Sequence, residues 1–189
     1  MKQAAGMVVL LAAACLAMAG CGAKAEVRTS HPPLGHMRWS TERTAYDFSR
    51  GRVIEVVIEG RWPRAGGAED FEYIHLTMPD TAGRHEVGSA GVRAERLVRI
   101  GREEFLYRAT GGTVSYRFAV LGGDHVSVSF DLKMELVYPK ELAGSSWPLS
   151  GTAKSPEDMA VAQGLVNRYS PAVERLRVEL AREAGPAAP

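Results

Sequence analysis

The chain is short of cysteine, of uncompensated charge and of catalytic signatures, and each shortage excludes something. Its two cysteines, Cys15 and Cys21, both lie near the start. Beyond Cys21 there is accordingly no disulfide, no thiol nucleophile and no cysteine-based metal site. The 23 Lys+Arg nearly balance the 22 Asp+Glu, which argues against a dedicated nucleic-acid or anionic-membrane binder. There is no HExxH, no GxxxxGK[ST] and no GxGxxG, and Gly88-Ser89-Ala90-Gly91 lacks the spacing of a GxSxG elbow. No cofactor is expected, and a non-enzymatic role is the leading reading.

What is present begins at the N-terminus. Lys2 supplies a positive start, and Met7 to Ala19 form an uncharged apolar run of the length of a signal-peptide core. A membrane-spanning helix needs ~20 apolar residues, and Ala4 to Ala23 nearly reaches that. Its later part is rich in Ala and Gly, which suits a processing site better than a stable span. An A-x-A site, Ala23-Lys24-Ala25, offers ordinary cleavage after Ala25.

Met18-Ala19-Gly20-Cys21 resembles the lipobox of bacterial lipoproteins, in which a larger apolar residue and two small ones precede a cysteine. The family usually has Leu where Met18 stands. The resemblance implies that residues 1–20 are a signal peptide and that Cys21 carries several acyl chains. It also implies a cell-envelope address, anchored to a membrane and facing the periplasm or the cell surface. Gly22 is not the Asp that retains such proteins at the inner membrane in enteric-like systems, which favours the outer membrane. Residues 21–36, polar and containing Pro32-Pro33, read as a tether. Some 14 extended residues span roughly 45 Å.

Residues 37–154 read as one antiparallel β domain. Ile54, Val56 and Ile58 alternate with Glu55, Val57 and Glu59; Ile74, Leu76 and Met78 repeat the pattern. Phe105, Tyr107 and Ala109 form a further face that ends at Gly111-Gly112. Val114 to Val120 and Val126 to Leu136 alternate on either side of Gly122-Gly123-Asp124, the mark of a β-hairpin with one wet face. Over 155–185 the period changes to that of one or two helices. Ser155-Pro156-Glu157-Asp158 opens the first, and Ser170-Pro171 can restart it. Residues 186–189 form a tail outside the fold. The expected class is mainly β: an antiparallel sandwich or partly closed barrel with one or two C-terminal helices packed on it.

Arg93, Arg96, Arg99 and Arg102 recur at intervals of three. On a helical turn they would share a side and grip an anion bidentately; on a strand they would alternate faces. Phe71 and Tyr73 share the side of their strand opposite Ile74, which makes them core or a ligand platform. The histidines, His31, His36, His75, His85 and His125, show no metal-ligand spacing, and no metal is expected. The leading function is a membrane-anchored binding or assembly accessory, with the membrane as partner through Cys21 and an envelope protein or anionic glycan as a further partner. The alternatives are a small-ligand carrier of lipid or glycan with a barrel-like pocket, and a hydrolase with an unrecognised site.

Overall fold

The structure, a computed structural model, describes residues 22–31, 35–48, 53–64, 69–89, 91–119 and 125–183. The expected signal, Cys21 and the C-terminal tail lie outside them. Ten strands run β1 (Lys24–His31), β2 (Gly35–Thr41), β3 (Thr44–Asp47), β4 (Val53–Pro63), β5 (Glu69–Pro79), β6 (Gly83–Glu86), β7 (Arg93–Ile100), β8 (Glu103–Phe118), β9 (His125–Tyr138) and β10 (Ser146–Pro156). One helix, α1 (Met159–Glu183), follows. The strands form a single antiparallel sheet in the order β2-β1-β10-β9-β8-β7-β5-β4-β3, with β6 added to β8.

The sheet curls into a nearly closed barrel. Consecutive strands β2 and β3 lie on its two opposite edges, so the chain bridges the gap at Glu42-Arg43. Thr44 and Ser155 hydroxyls meet at 2.6 Å across that gap, and the Asp158 amide donates to the Tyr46 carbonyl at 3.2 Å. Nearer the other end, the Trp39 ring of β2 lies on Gly60 of β4, where a Cβ would come within 3.0 Å of it. The alternation read from the sequence faces the lumen: Ile54, Val56, Ile58, Ile74, Leu76, Met78, Val114, Val128, Phe130, Leu132, Met134 and Leu136 are all buried in one core.

Three expectations change. The 21–36 segment is not a free tether: Lys24–His31 is β1, hydrogen-bonded between β10 and β2, with Ala25 and Val27 in the core. Its inward residues are small or polar, so the apolar alternation is too faint to stand out. Gly111-Gly112 does not end a strand. β8 continues through it, and a register shift between Ala109 and Gly111 lets Phe105, Tyr107 and Ala109 share the lumen with Val114 and Tyr116. Gly112 takes φ +102°, and a Cβ there would run into the Asp131 carbonyl. Lastly, Ser155-Pro156 closes β10 and does not open the helix. α1 begins at Met159, capped by Asp158, whose carboxylate accepts from the Val161 amide at 2.9 Å. It runs unbroken through Pro171, which is exposed, so the carbonyl left without a donor can face water.

α1 lies on the outside of the barrel. Ala162, Leu165, Tyr169, Val173 and Leu176 pack on Ala45, Val57, Phe71, Tyr73, Leu97 and Leu106, a second core on the outer face of β3, β4, β5, β7 and β8. Phe71 and Tyr73 are therefore core under a helix, with ring centroids 4.8 and 4.6 Å from that of Tyr169. Among the described residues no helix is long and apolar enough to cross a membrane.

One charged pair sits inside the lumen. Arg96 Nε donates to Glu72 Oε1 at 2.8 Å, and Trp39 Nε1 donates to Glu72 Oε2 at 3.1 Å. Arg96 Nη1 donates to the Ser30 carbonyl at 3.1 Å, and its guanidinium lies 4.7 Å from the Tyr107 ring centre. Both charged side chains are almost wholly buried, at 1% and 2% exposure. Removing one partner strands the other charge away from water, so Arg96→Met and Glu72→Met should each cost about 3–5 kcal/mol. The double variant should lose much less than the sum in guanidinium unfolding. Additive losses would show that the two side chains do not stabilise each other.

Candidate functional site

The surface that offers a site is the outer face of the barrel beside α1. Where a strand's outer residues are not covered by the helix they stay polar, and register places them in rows. His75 of β5 pairs with Glu95 of β7, which pairs with Arg108 of β8. The next row joins Thr77 to Arg93. These residues floor a groove of about 1020 Å³, walled by Ser170, Val173, Glu174 and Arg177 of α1 and by the turn from Val87 to Val92. Two smaller hollows, of about 620 and 340 Å³, also lie on the outside.

The groove's edge is held by ion pairs between sheet and helix. Arg177 joins Glu95 and Glu174. Farther along, Glu104 of β8 is held by Arg99 of β7 and Arg175 of α1. Deepest of all is Glu59, fully buried, which takes Arg61 at 2.9 Å and Arg168 at 3.1 Å, as well as Arg43 and the Tyr169 hydroxyl. Burial alone would push the Glu59 carboxyl up. The hydrogen bonds from Arg61 and Tyr169 and the charges of Arg43 and Arg61 outweigh it and hold Glu59 below the usual carboxylate range. Glu104 is likewise lowered, because Arg99 and Arg175 overcome its desolvation. Desolvation first, then the neighbouring Glu59, pushes the Tyr169 hydroxyl up.

The four arginines spaced by three do not converge. They belong to a strand and the turn after it, so they alternate. Arg93 is exposed at the groove, Arg96 is inside the barrel, Arg99 is tied to Glu104 and lies over the Phe71 ring at 4.7 Å, and Arg102 is exposed in the β7–β8 turn. Of the histidines, His75 lies in the groove, its Nε2 4.0 Å from Glu55. His85 Nε2 lies 2.7 Å from the Thr81 carbonyl, and its ring stacks on Tyr116. Among the described residues no group of three or more His, Cys, Asp or Glu is placed to hold a metal ion.

Sequence reasoning missed Glu59, Arg108 and His75 as site neighbours. Glu59 reads as the wet side of an alternating strand, and only the later arrival of α1 buries it. The groove row has no local signature, because β5, β7 and β8 supply it through register. Comparison with known proteins gives no matching family model, no matching curated protein and no matching solved structure.

The lowered carboxyls give a signed pH dependence. A group held below its unfolded value of ~4.3 lends stability above that value and loses it as pH falls through the folded one. Unfolding free energy should therefore drop as pH falls below that range, and Glu59→Gln should flatten the drop. A Glu59→Gln protein that loses stability as steeply as the parent, by urea unfolding at descending pH, would contradict this account of the buried carboxylate.

Proposed function

We propose that this chain is a lipid-anchored binding module of the cell envelope, attached to a membrane through Cys21 and without a catalytic role. The observation that carries the reading is the position of β1. It starts at Lys24, directly after Cys21-Gly22-Ala23. Processing at Cys21 leaves the barrel whole. Cleavage after Ala25 would remove the first two residues of a strand that lies between β2 and β10, including a buried alanine. The module faces the periplasm or the cell surface, and the outer membrane is the favoured site.

The carrier reading has less support, because side chains and the Glu72–Arg96 pair fill the described lumen. The binding surface is instead the outer groove. Around it Arg61, Arg99, Arg168, Arg175 and Arg177 are each engaged by a glutamate. Arg93 and Arg108 are exposed and have no ion pair among the described residues. Two free guanidiniums on one groove favour a partner that presents carboxylates, sulfates or phosphates, such as an anionic glycan or an acidic segment of an envelope protein.

The anchor is tested by intact mass and detergent partitioning after expression in a bacterial host. The parent should appear as an acylated chain starting at Cys21, and Cys21→Ser should lack the acyl mass. An unlipidated chain starting at Glu26 would overturn the anchor. The groove is tested on an immobilised sulfated polysaccharide, where Arg93→Glu/Arg108→Glu should elute at lower salt than the parent. Equal elution would remove the groove as the anion site.

A further inference from the structure

Six large apolar side chains of the described residues are exposed, and four of them gather at one end of the barrel. Phe48 follows β3 and Phe118 ends β8; their ring centroids are 6.3 Å apart, and Tyr46 lies 6.5 Å from Phe118. Met159 and Val161 belong to the first turn of α1, joined to Tyr46 through the Asp158 amide. Exposure runs from 37% at Phe118 to 54% at Met159. Single exposed apolar residues need no explanation, whereas a cluster on one rim marks a contact surface.

The same rim carries cations. Lys24 pairs in register with Lys154, Lys154 with Ser127, and Ser127 with Arg117, so three basic residues share one cross-strand row beneath Phe118. Lys24 also meets Glu26 at 3.0 Å. The nearby acids are turned to other uses. Asp47 is buried and accepts from Gln163, Glu157 accepts from the Tyr46 hydroxyl, and Asp158 caps α1. Asp80 is exposed on the link from β5 to β6.

This is also the end from which the chain leaves the barrel toward Cys21. Three residues span ~10 Å when extended, so a lipid on Cys21 cannot hold the domain far from the bilayer. We propose that this rim docks on the membrane: Phe48, Phe118, Met159 and Val161 enter the boundary between headgroups and acyl chains, and Lys24, Arg117 and Lys154 meet lipid phosphates. The inference rests on the anchor at Cys21. Apolar rim and acyl chains then supply the two signals that stable attachment requires. The barrel stands end-on, with its groove opening sideways along the membrane and its opposite rim pointing away.

The native tryptophans make the test clean, since Trp62 lies next to the end of β4 and Trp147 next to the start of β10 at the far rim, and Trp39 lies in the core. The full chain, processed by a bacterial host, is reconstituted into vesicles of zwitterionic and anionic phospholipid containing lipids brominated near the glycerol end of the acyl chain. Phe48→Trp and Phe118→Trp are compared with the parent. The added emission of each variant should shift to the blue and fall roughly twofold on bromination, as for rings ~5–10 Å into the boundary, while the parent's emission stays nearly constant. Protein that floats with vesicles but shows no added quenching at either position overturns the docking and leaves the anchor. If cross-linking then yields dimers, a second copy of the chain covers the rim. Protein that fails to float overturns the anchor and the docking together.

Discussion

Inside this barrel an arginine and a glutamate meet in a space lined mainly by hydrocarbon, and their bonds reach across it. Glu72 belongs to β5 and Arg96 to β7, but their remaining bonds reach Trp39 of β2 and the Ser30 carbonyl of β1. Those strands sit toward one edge of the sheet, on the far side of the lumen. The pair thus joins two arcs that the ladder alone links only the long way round. An apolar pair could fill the volume, but it would not pick out one partner strand from another. A buried charge does so, because every competing arrangement leaves it unsatisfied.

Outside the barrel the same logic fixes α1. The outer face of the strands presents Asp47, Glu59, Glu95 and Glu104, and the helix answers with Gln163, Arg168 with Tyr169, Arg177 and Arg175. The apolar seam between them would tolerate some sliding; the row of charged contacts sets register along the helix axis. The groove is a by-product of that register. It opens where α1 leaves the outer ends of β5, β7 and β8 uncovered, which places His75, Glu95 and Arg108 beside Arg93 at a wall of known composition.

The parts legible in the sequence were those with strong alternation and one wet face. The β8–β9 hairpin and the strands around Ile54 and Ile74 stand where the period-two pattern puts them, because burial of one face is a local property of every second residue. β1 escaped notice because its lumen-facing residues are Ala25, Val27 and Thr29, which fit beneath the larger side chains of neighbouring strands and give no apolar signal. Gly111-Gly112 looked like an end because a glycine pair marks turns and bulges alike. The helix start was displaced because Ser155 and Pro156 suit an N-cap and a strand end equally, and the hydroxyl of Ser155 found Thr44 across the closure. The groove was not legible at all. It is made of residues whose adjacency exists only once three strands, the turn before β7 and a helix have taken their places.

The place of β1 has a consequence for how the molecule comes into being. Lys24 opens the first strand, and its partner in register is Lys154, close to the end of the last one. A chain that emerges from synthesis or translocation in order must leave the first strand's inner hydrogen-bonding edge vacant until nearly everything else has passed. Loop closure of that span is slow, and an unsatisfied strand edge invites pairing with another chain. This domain is exposed to such pairing during the interval between the arrival of its first strand and its last. Once β10 inserts, it seats β1, brings Ser155 to Thr44 and delivers α1 to the outer wall in a single step.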